Sequence, residues 1–279
     1  MTESDIELIV GCVQMQSRLN PDDNLTACIR AAHEASRRGV QLLVFPETAS
    51  SRSDDPEVTP HAEDIGEGFV PALASALADL DMTIIVGVTE GRGEERPYNT
   101  LVAMRRGRIV AVYRKLHLYD AAGMRESDLV TPGEGPVATF DVDGFRVGLM
   151  TCYDVRFPEL ARLLSEQGAD ILAIPASWVH GPLKEEHWRT LCAARAIENT
   201  VYVLGAAQTG GTRIGRSAVI APDGVAEAAA GYAEELIVAR VSARRLSQAR
   251  ARFPMLQQTR FAIDAVPRPA PASVSGAGR

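Results

Sequence analysis

Residues 145–176 read FRVGLMTCYDVRFPELARLLSEQGADILAIPA. Three elements lie in this stretch. "VGLMT" is an apolar run of strand length. "FPELARLLSEQG" has helical spacing, with Pro158 in the first turn, where a missing N–H is tolerated, and Gly168 at the end. "ADILAIPA" is a second apolar run. Strand, helix and strand alternate here, the pattern of αβ units.

Upstream, RRGVQLLVFPE (37–47) repeats the pattern of EQGADILAIPA (166–176): helix end, glycine, apolar strand, proline. Gly39 to Pro46 and Gly168 to Pro175 have the same spacing, which hints at two pseudo-symmetric halves. Further out, ELIVGCVQM (7–15) reads as a strand, and residues 22–39 as a helix with Leu25, Cys28, Ile29 and Ala32 on one face. PALASALADL (71–80) is a helix and MTIIVGVTE (82–90) a strand. Residues 99–116 form a hairpin turning near Gly107, and residues 138–154 another turning at Asp143-Gly144, a favoured turn pair. EEHWRTLCAARAIEN (185–199) is a helix. TVYVLGAAQ, GRSAVIAPDG and ELIVARV close the sheet region. Hairpins mixed with αβ units predict two sheets flanked by helices rather than one parallel sheet. Residues 1–265 form one domain without an internal linker. Residues 266–279, rich in Pro, Ala, Ser and Gly, read as a disordered tail.

The chain has 279 residues, 46% hydrophobic and 23% charged, with a net charge of −7. That balance argues against non-specific nucleic-acid binding, which needs a dense cationic surface. The start is acidic where a secretory signal is basic, and no apolar run has the length of a membrane span. The expectation is a cytoplasmic protein with neither nucleic-acid nor membrane partner. Cys12, Cys28, Cys152 and Cys192 are widely spaced and fit neither a CxxC pair nor a zinc site, so free thiols are expected. Nucleotide-binding glycine loops are absent.

Three polar residues share one context. Glu47 follows the strand LLVFP, Lys115 the strand IVAVYR, and Cys152 the strand VGLMT. Ligands of α/β sheets collect beyond the strands' carboxyl ends. Singly, each has a plainer reading: a solvated Glu or Lys, a cysteine in the core. Together they supply a base, an electrophilic stabiliser and a nucleophile. The helix after Cys152 adds a dipole expected to favour the thiolate. His117 or His187 defines a runner-up, a Cys–His pair.

These residues sit in "FPE", "YRKLHLYD", "RESDLVTPGEGP" and "TCYDVRFPEL", followed by "HWRTLCAARAIEN", "VYVLGAAQTG" and a GxS-strand-PDG segment. In this order and spacing, from about residue 8 to about residue 262, the chain resembles the nitrilase, or carbon–nitrogen hydrolase, superfamily. It looks most like the branch of omega-amidase and deaminated-glutathione amidase. The resemblance implies a four-layer α-β-β-α sandwich with two mixed sheets, assembled as a homodimer or higher homo-oligomer. It implies Glu47 as general base, Lys115 as oxyanion stabiliser, Cys152 as nucleophile and Glu126 as a second glutamate beside the lysine. The Tyr153 N–H would assist in the oxyanion hole. Arg156, one turn beyond Cys152, would hold a substrate carboxylate, and Tyr119 and Trp178 would line the pocket. The implied reaction is hydrolysis of a small linear, carboxylate-bearing amide through a thioester, with no cofactor and no metal. Nitrile or N-carbamoyl hydrolysis uses the same triad, and a non-catalytic metabolite-binding protein on the same fold is the reading from another class. One departure is Gly215-Arg216-Ser217, where relatives commonly carry Gly-His-Ser.

Overall fold

Local chemistry explains where the elements begin and end. In the computed structural model, which describes residues 6–53 and 60–263, strand β1 (Glu7–Gln14) leads to helix α1 (Pro21–Arg37). Asn20 caps α1 by accepting the Asp22 N–H, Pro21 fills the first position, and Asp22 and Asp23 favour the positive end of the helix. Strand β2 (Leu42–Val44), helix α2 (Phe69–Ala76) and strands β3 (Thr83–Arg92), β4 (Glu95–Arg105) and β5 (Arg108–Arg114) follow. Strands β6 (Thr139–Val142) and β7 (Phe145–Leu149), helix α3 (Pro158–Glu166), strand β8 (Ile171–Ala176), helix α4 (Lys184–Asn199) and strand β9 (Tyr202–Ala207) form the second half. Strands β10 (Ala218–Ile220), β11 (Ala226–Ala229) and β12 (Glu235–Ser242) and helix α5 (Ala243–Arg252) complete it. The β4–β5 and β6–β7 hairpins turn where the sequence predicts. Both turn residues, Arg106-Gly107 and Asp143-Gly144, have positive φ, as the tight two-residue hairpin requires.

The strands form two six-stranded mixed sheets, ordered β12-β1-β2-β3-β4-β5 and β11-β10-β9-β8-β7-β6. Each has a parallel centre, β1-β2-β3 in one and β7-β8-β9 in the other, and antiparallel flanks. The sequence echo is therefore structural, since β2 and β8 hold equivalent places in the two sheets. Leu8, Val10 and Val44 meet Val147, Ile171 and Leu204 in the core between the sheets. The outer face of the first sheet packs on α1 and α2 through Cys28, Ala32, Leu43 and Leu73. The outer face of the second packs on α3 and α4 through Leu160, Leu164, Leu172 and Trp188. The order of layers is α-β-β-α. Each buried aliphatic side chain contributes roughly 1.5–3 kcal/mol through removal from water.

Two elements were not foreseen. Strand β11 is short and mostly exposed, so it has no apolar alternation. Helix α5 buries only Leu246, which leaves no helical stripe for the sequence to display. The expected tail at 266–279 lies outside the described residues. Among the described residues, no helix is long and apolar enough to cross a membrane.

Candidate active site

Glu47, Lys115 and Cys152 all lie just past the ends of strands. Glu47 comes three residues after β2, Lys115 directly after β5, and Cys152 three residues after β7. Their backbone is held tightly. Thr48 and Cys152 have positive φ, at 53° and 49°, a strained conformation for residues with a Cβ. Gly87 on β3 allows the turn at Glu47 to approach, because a Cβ there would lie 2.6 Å from the Glu47 Cα. The Gln208 amide, beyond β9, donates to the Glu47 carbonyl at 3.0 Å and to Ser17 Oγ at 2.7 Å, which ties the two sheets together beside the site.

The side chains converge. Lys115 Nζ donates to Glu47 Oε1 at 2.9 Å and to Glu126 Oε2 at 2.8 Å. Glu126 opens a short 3-10 turn (Glu126–Asp128), and its Oε2 also accepts the Tyr119 N–H at 2.6 Å. Asn99 Nδ2 donates to Glu47 Oε1 at 2.7 Å and to Glu126 Oε1 at 3.2 Å, bridging the two carboxylates. Ser177 N–H donates to Glu47 Oε2 at 2.6 Å. The Cys152 thiol lies close enough to the Glu47 carboxylate for each to shift the other's proton affinity. Glu47, Lys115 and Cys152 are all buried.

The electrostatics follow from these contacts. Burial alone would raise the Glu47 carboxyl, but the Lys115 charge and the hydrogen bonds from Lys115, Cys152 and Asn99 outweigh it and hold it below the usual carboxylate value. Burial alone would lower Lys115, but Glu126 and Glu47 hold its ammonium proton well above the ordinary range. Burial and the Glu47 charge push the Cys152 thiol well up, against the pull of Lys115. The resting site is thus a carboxylate, an ammonium and a neutral thiol. The helix dipole expected to favour the thiolate is not set against Cys152. Cys152 opens only a 3-10 turn (Cys152–Arg156), α3 begins at Pro158, and burial and the Glu47 charge raise the thiol instead.

The Cys–His alternative finds no geometric support. His117 Nδ1 lies 2.7 Å from Asp154 Oδ1 and its ring stacks on Phe157 at 3.6 Å. His187 Nδ1 lies 3.4 Å from Arg156 Nη2. Strand β5 stops at Arg114, so strand alternation does not carry His117 to the face of Lys115.

The four expected pocket residues cluster. The Tyr119 and Tyr153 rings lie 5.0 Å apart, edge to face. Arg156 Cζ stands 5.9 Å from the Tyr153 ring centre and 5.0 Å from that of Trp178. Asp154 is committed elsewhere, to Tyr113, His117 and the Thr151 N–H, and among the described residues Arg156 forms no ion pair. Arg216 stacks 4.2 Å over Tyr232 and pairs with Glu185 at 2.9 Å. Cys12, Cys28 and Cys192 are buried, and all four cysteines are free.

Asn99, Asp154, the Ser177 N–H and Lys184 escaped the sequence reading. Asn99 leaves a weak trace, a polar residue ahead of the apolar run LVAM. A backbone N–H leaves none.

The chain matches the carbon–nitrogen hydrolase family over residues 9–251 and belongs to it. It is therefore a carbon–nitrogen hydrolase. A deaminated glutathione amidase from Escherichia coli O157:H7 is 43% identical over 243 residues, covering 86% of this chain and 93% of that one. Among solved structures, Saccharomyces cerevisiae Nit3, a member of branch 10 of the nitrilase superfamily, superposes with a TM-score of 0.81 at 25% identity, covering 94% and 99%. An amidase from Nesterenkonia, in which acrylamide has added to the active-site cysteine, gives 0.73 at 27% identity, covering 88% and 98%.

Proposed function

We propose that this hydrolase is a cysteine amidase acting on small linear amides that carry a carboxylate. The observation behind this reading is the buried meeting of a thiol, a carboxylate and an ammonium, with Lys115 Nζ 2.9 Å from Glu47 Oε1. Glu47 takes the Cys152 proton as sulfur bonds to the amide carbon. The oxyanion is met by Lys115 and the Tyr153 N–H. Glu47 returns the proton to the leaving nitrogen, the C–N bond breaks, and a thioester remains. Glu47 then deprotonates water, which attacks the thioester, and the sulfur recovers its proton as the acid leaves. Glu126 holds Lys115 in place and charged, with two carboxylates against one ammonium. Arg156 takes the substrate carboxylate, between Tyr153 and Trp178. The deaminated glutathione amidases among the relatives support an amide over a nitrile.

The test is release of ammonia or amine across a panel of linear amides, nitriles and N-carbamoyl compounds. Carboxylate-bearing amides should turn over fastest, and Cys152→Ala should lose activity by on the order of a thousandfold or more. Full activity in that variant would sink the reading. Faster turnover of nitriles would keep the cysteine and change the substrate class.

The four free thiols support a reducing, cytoplasmic setting. A homodimer fits the apolar side chains exposed at Ile197, Phe253 and Phe261, and light scattering on the purified chain checks it.

A further inference from the structure

Trp178 carries a second cation. Lys184 Nζ lies 5.1 Å from its ring centre, and Arg156 Cζ lies 5.0 Å from the same ring. The lysine also donates to the Tyr119 hydroxyl at 2.8 Å and stands 4.6 Å from the Tyr119 ring. Both neighbours lead directly to the chemistry. The Tyr119 N–H bonds to Glu126, and Trp178 follows Ser177, whose N–H bonds to Glu47.

Among the described residues, neither cation meets a carboxylate. The chain is acidic, and half-buried arginines elsewhere find carboxylates: Arg105 with Asp143, Arg245 with Asp223, Arg250 with Asp170. Among the described residues, Arg156 and Lys184 pair with none. An ammonium has three donors, and one is used.

Lys184 is also out of place as a structural residue. It is the first residue of α4, where the helix macrodipole repels a cation. Leu183 before it sits at a φ of 58° and is exposed, so local strain presents this end of the helix. The acidic residues that follow do not compensate. Glu185 pairs with Arg216, and Glu186 with Arg189. Both cations stand half-exposed on one aromatic wall, where an anion can reach them.

We propose that Lys184 is a specificity-determining residue that, together with Arg156, selects amides carrying two anionic groups. This deepens the amidase reading and rests on it. One carboxylate meets Arg156 and the second meets Lys184. The second can belong to the acyl chain or to the leaving amine, and the chemistry of recognition is the same.

Three probes separate the possibilities: glutaramate with one carboxylate, 3-(carboxymethyl)glutaramate with two on the acyl part, and glutarylglycine with one on each side of the scissile bond. The wild-type protein should prefer at least one dianion over glutaramate by about tenfold or more in kcat/KM, a plausible value for one charge-assisted contact. Lys184→Met should collapse that ratio, chiefly through KM, and Lys184→Arg should retain most of it. Glutaramate turnover by each variant is the internal control for folding. A ratio unchanged within about twofold in Lys184→Met, or an equal loss on all three probes, overturns the proposal and leaves the amidase intact. Calorimetric binding of the same probes to Cys152→Ala protein, with and without Lys184→Met, gives a second readout that needs no turnover. No preference for a dianion there overturns it as well. Absence of turnover by the wild-type protein on every amide strikes the amidase reading instead.

Discussion

Asp154 is wholly buried and accepts from Tyr113 Oη at 2.7 Å, Thr151 N at 2.9 Å and His117 N at 3.1 Å. It thereby joins the strained turn at Cys152 to the segment carrying Lys115. Asp154→Asn turns an amide N–H toward donors and leaves buried groups unpaired. A loss of about 2–4 kcal/mol in urea unfolding is expected, with a fall in kcat larger than any change in KM. An unchanged unfolding midpoint would mean the carboxylate is not holding the turn. Glu126→Gln tests the lysine directly. Lys115 keeps Glu47 but loses its second charge, so kcat should drop by roughly ten- to a hundredfold with the fold intact by circular dichroism. At this scale the sequence shows the reactive side chains, because a Glu, a Lys and a Cys at strand ends are visible as letters. It does not show Asp154 in this role, because the residue acts through partners 37 and 41 positions away.

The strands place these side chains by ending together. Segments 37–47 and 166–176 repeat one pattern, and their ends meet where Ser177 N–H reaches Glu47. Close approach of elements has a measurable consequence at Gly87. A Cβ there would press on backbone at Glu47 and Pro46, and backbone cannot swing aside as a flexible side chain can. Gly87→Ala should displace Glu47 and lower kcat by on the order of ten- to a hundredfold, while far-ultraviolet circular dichroism stays unchanged. Activity equal to the wild-type protein would show that β3 and the Glu47 turn can separate without harm. The sequence predicts the strand at Gly87 but not this contact, since a glycine in a strand looks the same whether it packs or bulges.

The whole molecule keeps four thiols neutral and buried. Burial pushes Cys12, Cys28 and Cys192 up, and burial with Glu47 pushes Cys152 up. A group raised in the native state gives stability that is complete below its unfolded value and lost as pH rises toward the native one. Above about pH 8.5 the unfolded chain releases thiol protons that the native chain keeps. Unfolding free energy should then fall by up to roughly 5 kcal/mol per pH unit, read from urea curves between pH 7 and 10. A flat profile there would mean the native thiols ionise. Glu47 works in the other direction. Its lowered value gives stability present above the ordinary carboxylate value and lost as pH falls through the native one. The acid limb of kcat/KM should accordingly lie below about pH 4.3, and a limb near neutrality would assign the base to another group.

Hydrophobic periodicity, turn residues and the order of strands and helices are local properties, and the sequence by itself determined them: the paired αβ units, the hairpins at Gly107 and Asp143-Gly144, and the positions of Glu47, Lys115 and Cys152. Only the tertiary structure decided how these groups are charged and what they face. Proton affinity depends on burial and on neighbours distant in the chain, so burial and Glu47 raise the Cys152 thiol where a helix dipole was expected to lower it. For the same reason Lys184, an ordinary letter at the head of a helix, becomes with Arg156 one of two cations beside Trp178 that meet no carboxylate among the described residues.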